Sequence, residues 1–160
     1  MMRHSIVIMG RLRRPFFREG AEEYCKRLQA YGRVQLVEVP EAKQARSADD
    51  PQAVRESEAE AILGAAEQRG VGYWIALDEA GRMATSEGLA RFLEKRAVGG
   101  DSHLIWLIGG AFGLSEEVKQ RCNLALSLSR MTFPHEMVPM ILLEQLYRAH
   151  RIMRGEPYHH

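Results

Sequence analysis

Two runs of almost unbroken apolar residues, Tyr73 to Leu77 and His103 to Ile108, constrain this chain more than any other feature. A strand that is apolar at every position has no face to offer to water. Both faces must be covered, as they are in a parallel sheet with helices on either side. The segments around these runs supply such helices. Pro15 stands where a first helical residue belongs, Gly32 closes the segment, and between them Phe17, Ala21, Tyr24, Leu28 and Tyr31 recur at alternating spacings of four and three. That spacing aligns them on one buried face. Asp50 before Pro51 reads as the N-cap of a second helix with a weaker stripe, Val54, Ala61, Ile62 and Ala66, ending at Gly70.

Thr85 or Ser86 caps a third helix that carries Leu89, Phe92 and Leu93 and ends near Gly99 and Gly100. Ser115 caps a short fourth, with Glu116 and Glu117 in the first turn, where the helix dipole favours acids. The last helix runs from about Glu136 to Arg154, with Met137 and Ile141 at helical spacing, and is stopped by Gly155 and Pro157. Further strands are expected at His4 to Met9, Val34 to Val39 and Leu124 to Leu128. The central strand from Tyr73 stops at Asp78, and Glu41 to Asp50 reads as an exposed loop. The alternation of strands and helices predicts an α/β fold on a parallel sheet.

A chain of 160 residues, 46% hydrophobic and 27% charged, fits a single soluble domain over residues 1–160. No apolar run approaches the roughly 20 residues that span a bilayer, and the start of the chain reads as a strand rather than an export signal. The expected location is the cytoplasm. Cys25 and Cys122 stand far apart without ligand spacing, so free thiols are expected and no metal site. A formal net charge of +1 gives no whole-molecule attraction to nucleic acid, so any such surface must be local. The basic clusters are Arg11, Arg13 and Arg14 at one end, and Arg148, Arg151 and Arg154 with His150, His159 and His160 at the other.

Three segments bear on chemistry. The glycine-rich stretch Gly109-Gly110-Ala111-Phe112-Gly113 follows a buried strand, where open α/β sheets bind ligands and where glycine lets the backbone approach one closely. It lacks the dinucleotide spacing, a ribose-holding acid and a phosphate-loop lysine, and as a bare motif it fits a structural turn equally well. Leu128 to His135 leaves another strand end with hydroxyls and free backbone groups that suit a nucleoside edge, or simply satisfy the loop. The tail, Glu156-Pro157-Tyr158-His159-His160, is aromatic and ionisable where most chain ends are featureless. Glu144 and Arg148, four apart on the last helix, read alone as a surface ion pair.

Together, Leu107 to Leu114, Leu126 to His135, Glu144 to Ala149 and Met153 to His159, with Val37 to Pro40, resemble one family across nearly the whole chain. It is the ribosomal RNA large-subunit methyltransferase H family, pseudouridine N3-methyltransferases of the SPOUT superfamily. The resemblance implies a SPOUT fold, a mostly parallel sheet flanked by helices with a C-terminal trefoil knot, working as a homodimer. General topology rules would instead give an unknotted sheet. It also implies S-adenosylmethionine bound by Leu77, Gly109 and the run Leu128, Ser129, Arg130, Met131, Thr132 and Phe133. The substrate would be 23S rRNA, at a hairpin loop on the subunit interface of the ribosome. His159 and Tyr158 would orient or deprotonate the base as catalytic residues with Arg148, and Arg148 and Arg154 would hold RNA phosphates. Pro139 departs from the arginine usual in that family. Two other readings stand beside this one: a catalytically silent ribosome-binding factor of the same fold, and a metabolic nucleotide-binding enzyme, which the incomplete dinucleotide motif disfavours.

Overall fold

The computed structural model describes residues 1–41 and 50–160. In chain order the elements are β1 (Met2–Met9), α1 (Pro15–Leu28), β2 (Gly32–Val39), α2 (Pro51–Glu67) and β3 (Tyr73–Met83). They continue with α3 (Ser86–Val98), β4 (His103–Ile108), α4 (Glu116–Arg121), β5 (Leu124–Ser127) and α5 (Val138–Met153). The five strands form one sheet in the order β2-β1-β4-β3-β5, and every pairing is parallel.

β4 lies at the centre, and all six of its residues are buried, the outcome its unbroken apolar run demands. Alternate side chains serve opposite faces. Ile6, Ile8, Leu104, Trp106 and Ile108 join a core with Ala21 and Leu28 of α1, Leu89 and Leu93 of α3, and Leu142 and Leu146 of α5. Val7, Met9, Ile105 and Leu107 meet Ala59 and Ile62 of α2 and Val118 of α4 on the other side. Both faces are therefore covered, by three helices and by two.

Two polar groups are taken into the larger core as a chain. The Trp106 indole N–H donates to Nδ1 of His4 at 3.1 Å, and His4 Nε2 lies 3.1 Å from Nε2 of His150 on α5. An unpaired buried donor costs roughly 1–3 kcal/mol, so this chain offsets the price of burying the indole. Burial drives the His4 pKa down to about 3, with the neighbouring His150 and His103 adding to it, and drives His150 to about 4. Both rings are neutral near pH 7.

The caps form as their residue types dictate. Asp50 accepts from the backbone of Gln52 and Ala53, Thr85 rather than Ser86 accepts from Gly88, and Ser115 accepts from Val118. Of the expected α1 face, Phe17, Ala21, Leu28 and Tyr31 are buried and Tyr24 is partly so. The expected stripe of α2 is corrected at one place: Ala61 is exposed, and Glu58, Ala59 and Leu63 are buried beside Val54, Ile62 and Ala66. The reading of Glu41 to Asp50 as a loop falls largely outside the described residues.

β3 does not stop at Asp78. Leu77 and Arg82 both pair with Leu126, so Asp78 to Gly81 leave the ladder and the strand resumes to Met83. Glycine is required at the return, because a Cβ on Gly81 would sit 2.7 Å from the Ala125 carbonyl oxygen. The looped-out residues form part of the wall described next.

Candidate functional site

In a parallel sheet all carboxyl ends lie on one edge, and ligands bind beyond that edge. Here the adjacent strands β4, β3 and β5 end in a cleft of about 990 Å³, at the upper end of the volumes typical of small-molecule sites. Leu77 to Ala80 leave β3, Ile108 to Glu117 leave β4, and Leu128 to Val138 leave β5, each segment contributing wall residues. Leu77, Leu128, Met131 and Phe133 give it apolar surface, while the glycine loop and Ser129, Thr132 and His135 give it polar groups.

The loops are locked to one another. The Arg130 guanidinium donates to the carbonyl of Glu79, and the Ser129 hydroxyl accepts from the Met131 backbone at 3.0 Å while the Ser127 hydroxyl donates to the Ser129 carbonyl at 3.0 Å. Lys119 of α4 pairs with Asp78 at 3.2 Å, and Arg55 of α2 donates to the Phe112 carbonyl at 3.3 Å. Gly109 is where the loop crosses itself: a Cβ there would lie 2.4 Å from the backbone carbon of Gly113. Side chains are thus excluded from the tightest part of the wall, which leaves bare peptide groups next to the cleft.

Beneath the glycine loop lies Glu58, 9% exposed, with Oε2 hydrogen-bonded to nothing among the described residues. That oxygen would be 3.0 Å from a Cβ placed on Gly110. Burial raises the Glu58 pKa to about 6, and the charge of Glu41 adds to the effect. Its signal in the sequence is positional: Glu58 stands four residues from both Val54 and Ile62 on the buried stripe of α2.

The expected site residues separate into two groups. Leu77, Gly109, Leu128, Ser129, Met131, Thr132 and Phe133 line the cleft; Arg130 does not, and acts by tying its loop to Glu79. Sequence reasoning did not single out the wall residues Asp78, Glu79 and Lys119, which become neighbours only when β3 loops out.

Arg148, Tyr158 and His159 do not line the cleft of their own chain. They gather around Glu144 on the outer side of α5. Arg148 donates to Glu144 Oε1 through Nη2 at 2.6 Å and Nε at 3.0 Å, and the Tyr158 hydroxyl donates to the same oxygen at 3.2 Å. Arg148 Nη1 lies 3.1 Å from His159 Nδ1, and Nε2 of His159 lies 2.7 Å from Glu87 Oε1 on α3. A guanidinium only donates, so Nδ1 must accept and Nε2 carries the hydrogen. Burial, reinforced by the Glu144 charge, pushes the Tyr158 pKa up to about 12, so its phenol stays protonated at neutral pH. Arg154 lies over the Tyr31 ring at 4.7 Å with its side chain exposed.

The tail backbone is held as well. Glu156 accepts from the Tyr31 hydroxyl at 2.6 Å and pairs with Arg151 at 3.0 Å, and the Tyr158 and Tyr147 rings meet edge to face at 4.9 Å. Cys25 and Cys122 are free thiols whose pKa burial raises to about 11, far from the thiolate form at neutral pH. No cluster of metal ligands occurs among the described residues, and no helix of the described chain is long and apolar enough to cross a membrane.

A parallel sheet with a cleft of this volume at three carboxyl ends defines an α/β protein with a small-molecule site at the edge of its sheet. More narrowly, residues 2–159 match the family described as "Predicted SPOUT methyltransferase", and the chain belongs to that family. Proteins named "Ribosomal RNA large subunit methyltransferase H" are 45% identical in Pelotomaculum thermopropionicum, over all of both chains, and 44% identical in Symbiobacterium thermophilum, over 99% of each. One from Bacillus pumilus is 43% identical, again over 99% of each. A probable methylase family protein from Haemophilus influenzae shares the fold, with a TM-score of 0.55 and 14% identity over 99% of this chain and 70% of its own.

Proposed function

We propose that this protein transfers the methyl group of S-adenosylmethionine to N3 of a pseudouridine in 23S rRNA, within the assembled ribosome and in the cytoplasm. The observation that carries the reading is the cleft at the ends of β4, β3 and β5, in a chain whose full-length relatives bear the methyltransferase name. The cleft fits the cofactor. Leu77, Leu128, Met131 and Phe133, which line the cleft, would cover the faces of an adenine, and the peptide groups from Gly109 to Gly113 and around Ser129 would read its edge. When bound, the cofactor supplies an electrophilic methyl on a positive sulfur.

The chain's own contribution is then position and proton handling. N3 of the base must lose its proton and lie in line with the methyl, and orientation of that kind supplies much of an enzyme's rate. His159 is the group assigned to the proton, which its Nδ1 can take once the Arg148 guanidinium withdraws from it, with Tyr158 as a neutral hydrogen-bond donor. Because these residues lie outside the cleft of their own chain, we assign them to the cleft of the partner in a homodimer. The trefoil knot belongs to the same proposal: the chain leaves β5 at the sheet edge, yet α5 returns to pack between α1 and α3.

The test is mapping of the product. Ribosomes lacking the modification are incubated with protein and cofactor, and the digested 23S rRNA is analysed by mass spectrometry. A methyl on N3 of one pseudouridine supports the reading; a methyl on another base leaves the cofactor chemistry and removes the substrate. No methyl, with cofactor bound, favours the silent ribosome-binding factor.

A further inference from the structure

The cleft accounts for a nucleoside cofactor but not for the polyanion that carries the substrate base. β1 lies beside β4 with Ile8 opposite Ile108, so the segment leaving β1 at Gly10 emerges level with the glycine loop, on the same edge of the sheet as the cleft. That segment is Arg11-Leu12-Arg13-Arg14.

Its backbone is fixed at several points. Leu12 is buried; its N–H donates to Glu38 at 3.3 Å and its carbonyl accepts from Arg18 at 3.0 Å. The backbone N–H groups of Arg13 and Arg14 both donate to Glu136 Oε1. Glu136 stands between His135 and Val138, which line the cleft, so the arginine segment is bolted to the rim of the wall.

The nearby carboxylates are largely occupied. Glu136 serves the two backbone donors, Glu38 pairs with Arg18 at 2.8 Å, and Glu41 approaches Arg13 only at 3.8 Å. Arg11 and Arg14 are exposed and form no ion pair among the described residues, and the Arg13 side chain is 63% exposed. Of the two arginines the resemblance assigns to RNA phosphates, Arg148 has its charge paired with Glu144, while Arg154 is exposed over the Tyr31 ring. A held backbone with exposed guanidinium groups suits phosphate contacts, which set register without reading sequence.

We propose that Arg11, Arg13 and Arg14 form a phosphodiester-binding rim that seats the substrate RNA backbone over the cleft. The proposal rests on the functional reading above. Each phosphate contact to a flexible RNA strand adds about 0.7 to the salt slope of binding, so loss of three lowers the slope by about 2 and the affinity by about 100-fold near 0.1 M salt.

The experiment measures binding to undermodified ribosomes across a salt series, alongside methyl transfer and cofactor affinity. The test variant is Arg11→Ala/Arg13→Ala/Arg14→Ala. A control, Arg33→Ala/Arg91→Ala/Lys95→Ala, removes the same charge from exposed positions elsewhere. The expected result is the 100-fold loss and lowered slope in the rim variant alone, unchanged cofactor affinity, and recovery when the three residues are lysine. Arg14→Ala alone, which leaves Glu136 its backbone donors, is expected to lower the slope by about 0.7. Equal salt slopes and equal losses in rim and control variants would overturn the rim while leaving methyl transfer intact. Failure of the unsubstituted protein to transfer methyl, with rim-dependent binding retained, would overturn the functional reading instead, and failure to bind ribosomes would overturn both.

Discussion

The cleft and the tail are built from different materials. The cleft wall combines apolar side chains with the bare main chain of the glycine loop, and its loops are held by hydrogen bonds such as Arg55 to the Phe112 carbonyl and Arg130 to the Glu79 carbonyl. The tail is a network of side chains, in which Glu144, Arg148, Tyr158, His159 and Glu87 satisfy one another. The glycine loop can offer peptide groups to a ligand with little demand on side-chain identity, except where only glycine fits. A side-chain network depends on each member and suits proton handling. The difference suggests a division of labour, with cofactor binding in one region and base chemistry in the other.

The strongest way to break this division is Gly109→Ala. The added Cβ meets the Gly113 backbone at 2.4 Å, so the loop must shift. Overpacking costs about 1–3 kcal/mol, and where that displaces the cofactor-binding groups, affinity is expected to fall up to about 100-fold by calorimetry. An unchanged affinity would show that the glycine loop does not hold the cofactor.

His159→Ala sharpens the contrast from the other side. It is expected to lower kcat about 100-fold, the lower range for loss of a general base, with cofactor affinity unchanged. Loss of cofactor binding in this variant would erase the distinction between the regions.

Glu58→Gln has the smallest effect and probes what lies under the wall. A carboxyl whose pKa is raised from 4.5 to about 6 on folding destabilises the folded state as pH rises through that window. The amide removes this penalty. Urea unfolding is expected to show a gain of about 2 kcal/mol above pH 7 that vanishes below about pH 4.5. A gain independent of pH would mean that the Glu58 charge is not its source.

Much of the fold was legible because burial leaves a periodic trace. The unbroken run of β4 and the stripe of α1 name their own environments, and Asp50, Thr85 and Ser115 cap helices for reasons carried in a few residues. The excursion of β3 from Asp78 to Gly81 was not legible, since it depends on how Leu126 pairs across the sheet. Of the candidate site, the two loops of the cleft stood out through glycine, serine and threonine after strand ends. The partners of the tail did not. Glu87 lies 72 positions from His159, and nothing local to either residue announces the pairing. Glu144 and Arg148 read as an ordinary surface pair because their common partners are folded in from the chain end.

The central claim is that cleft and tail are two halves of one active site that meet across a homodimer. Co-expression of Gly109→Ala chains with His159→Ala chains tests it directly, by methyl transfer to undermodified ribosomes. Random pairing makes half the dimers mixed, and each mixed dimer has one intact cleft facing one intact tail, so about a quarter of normal activity should return. If the mixture is no more active than the two variants assayed apart, cleft and tail do not combine between chains, and the account of a shared site is wrong.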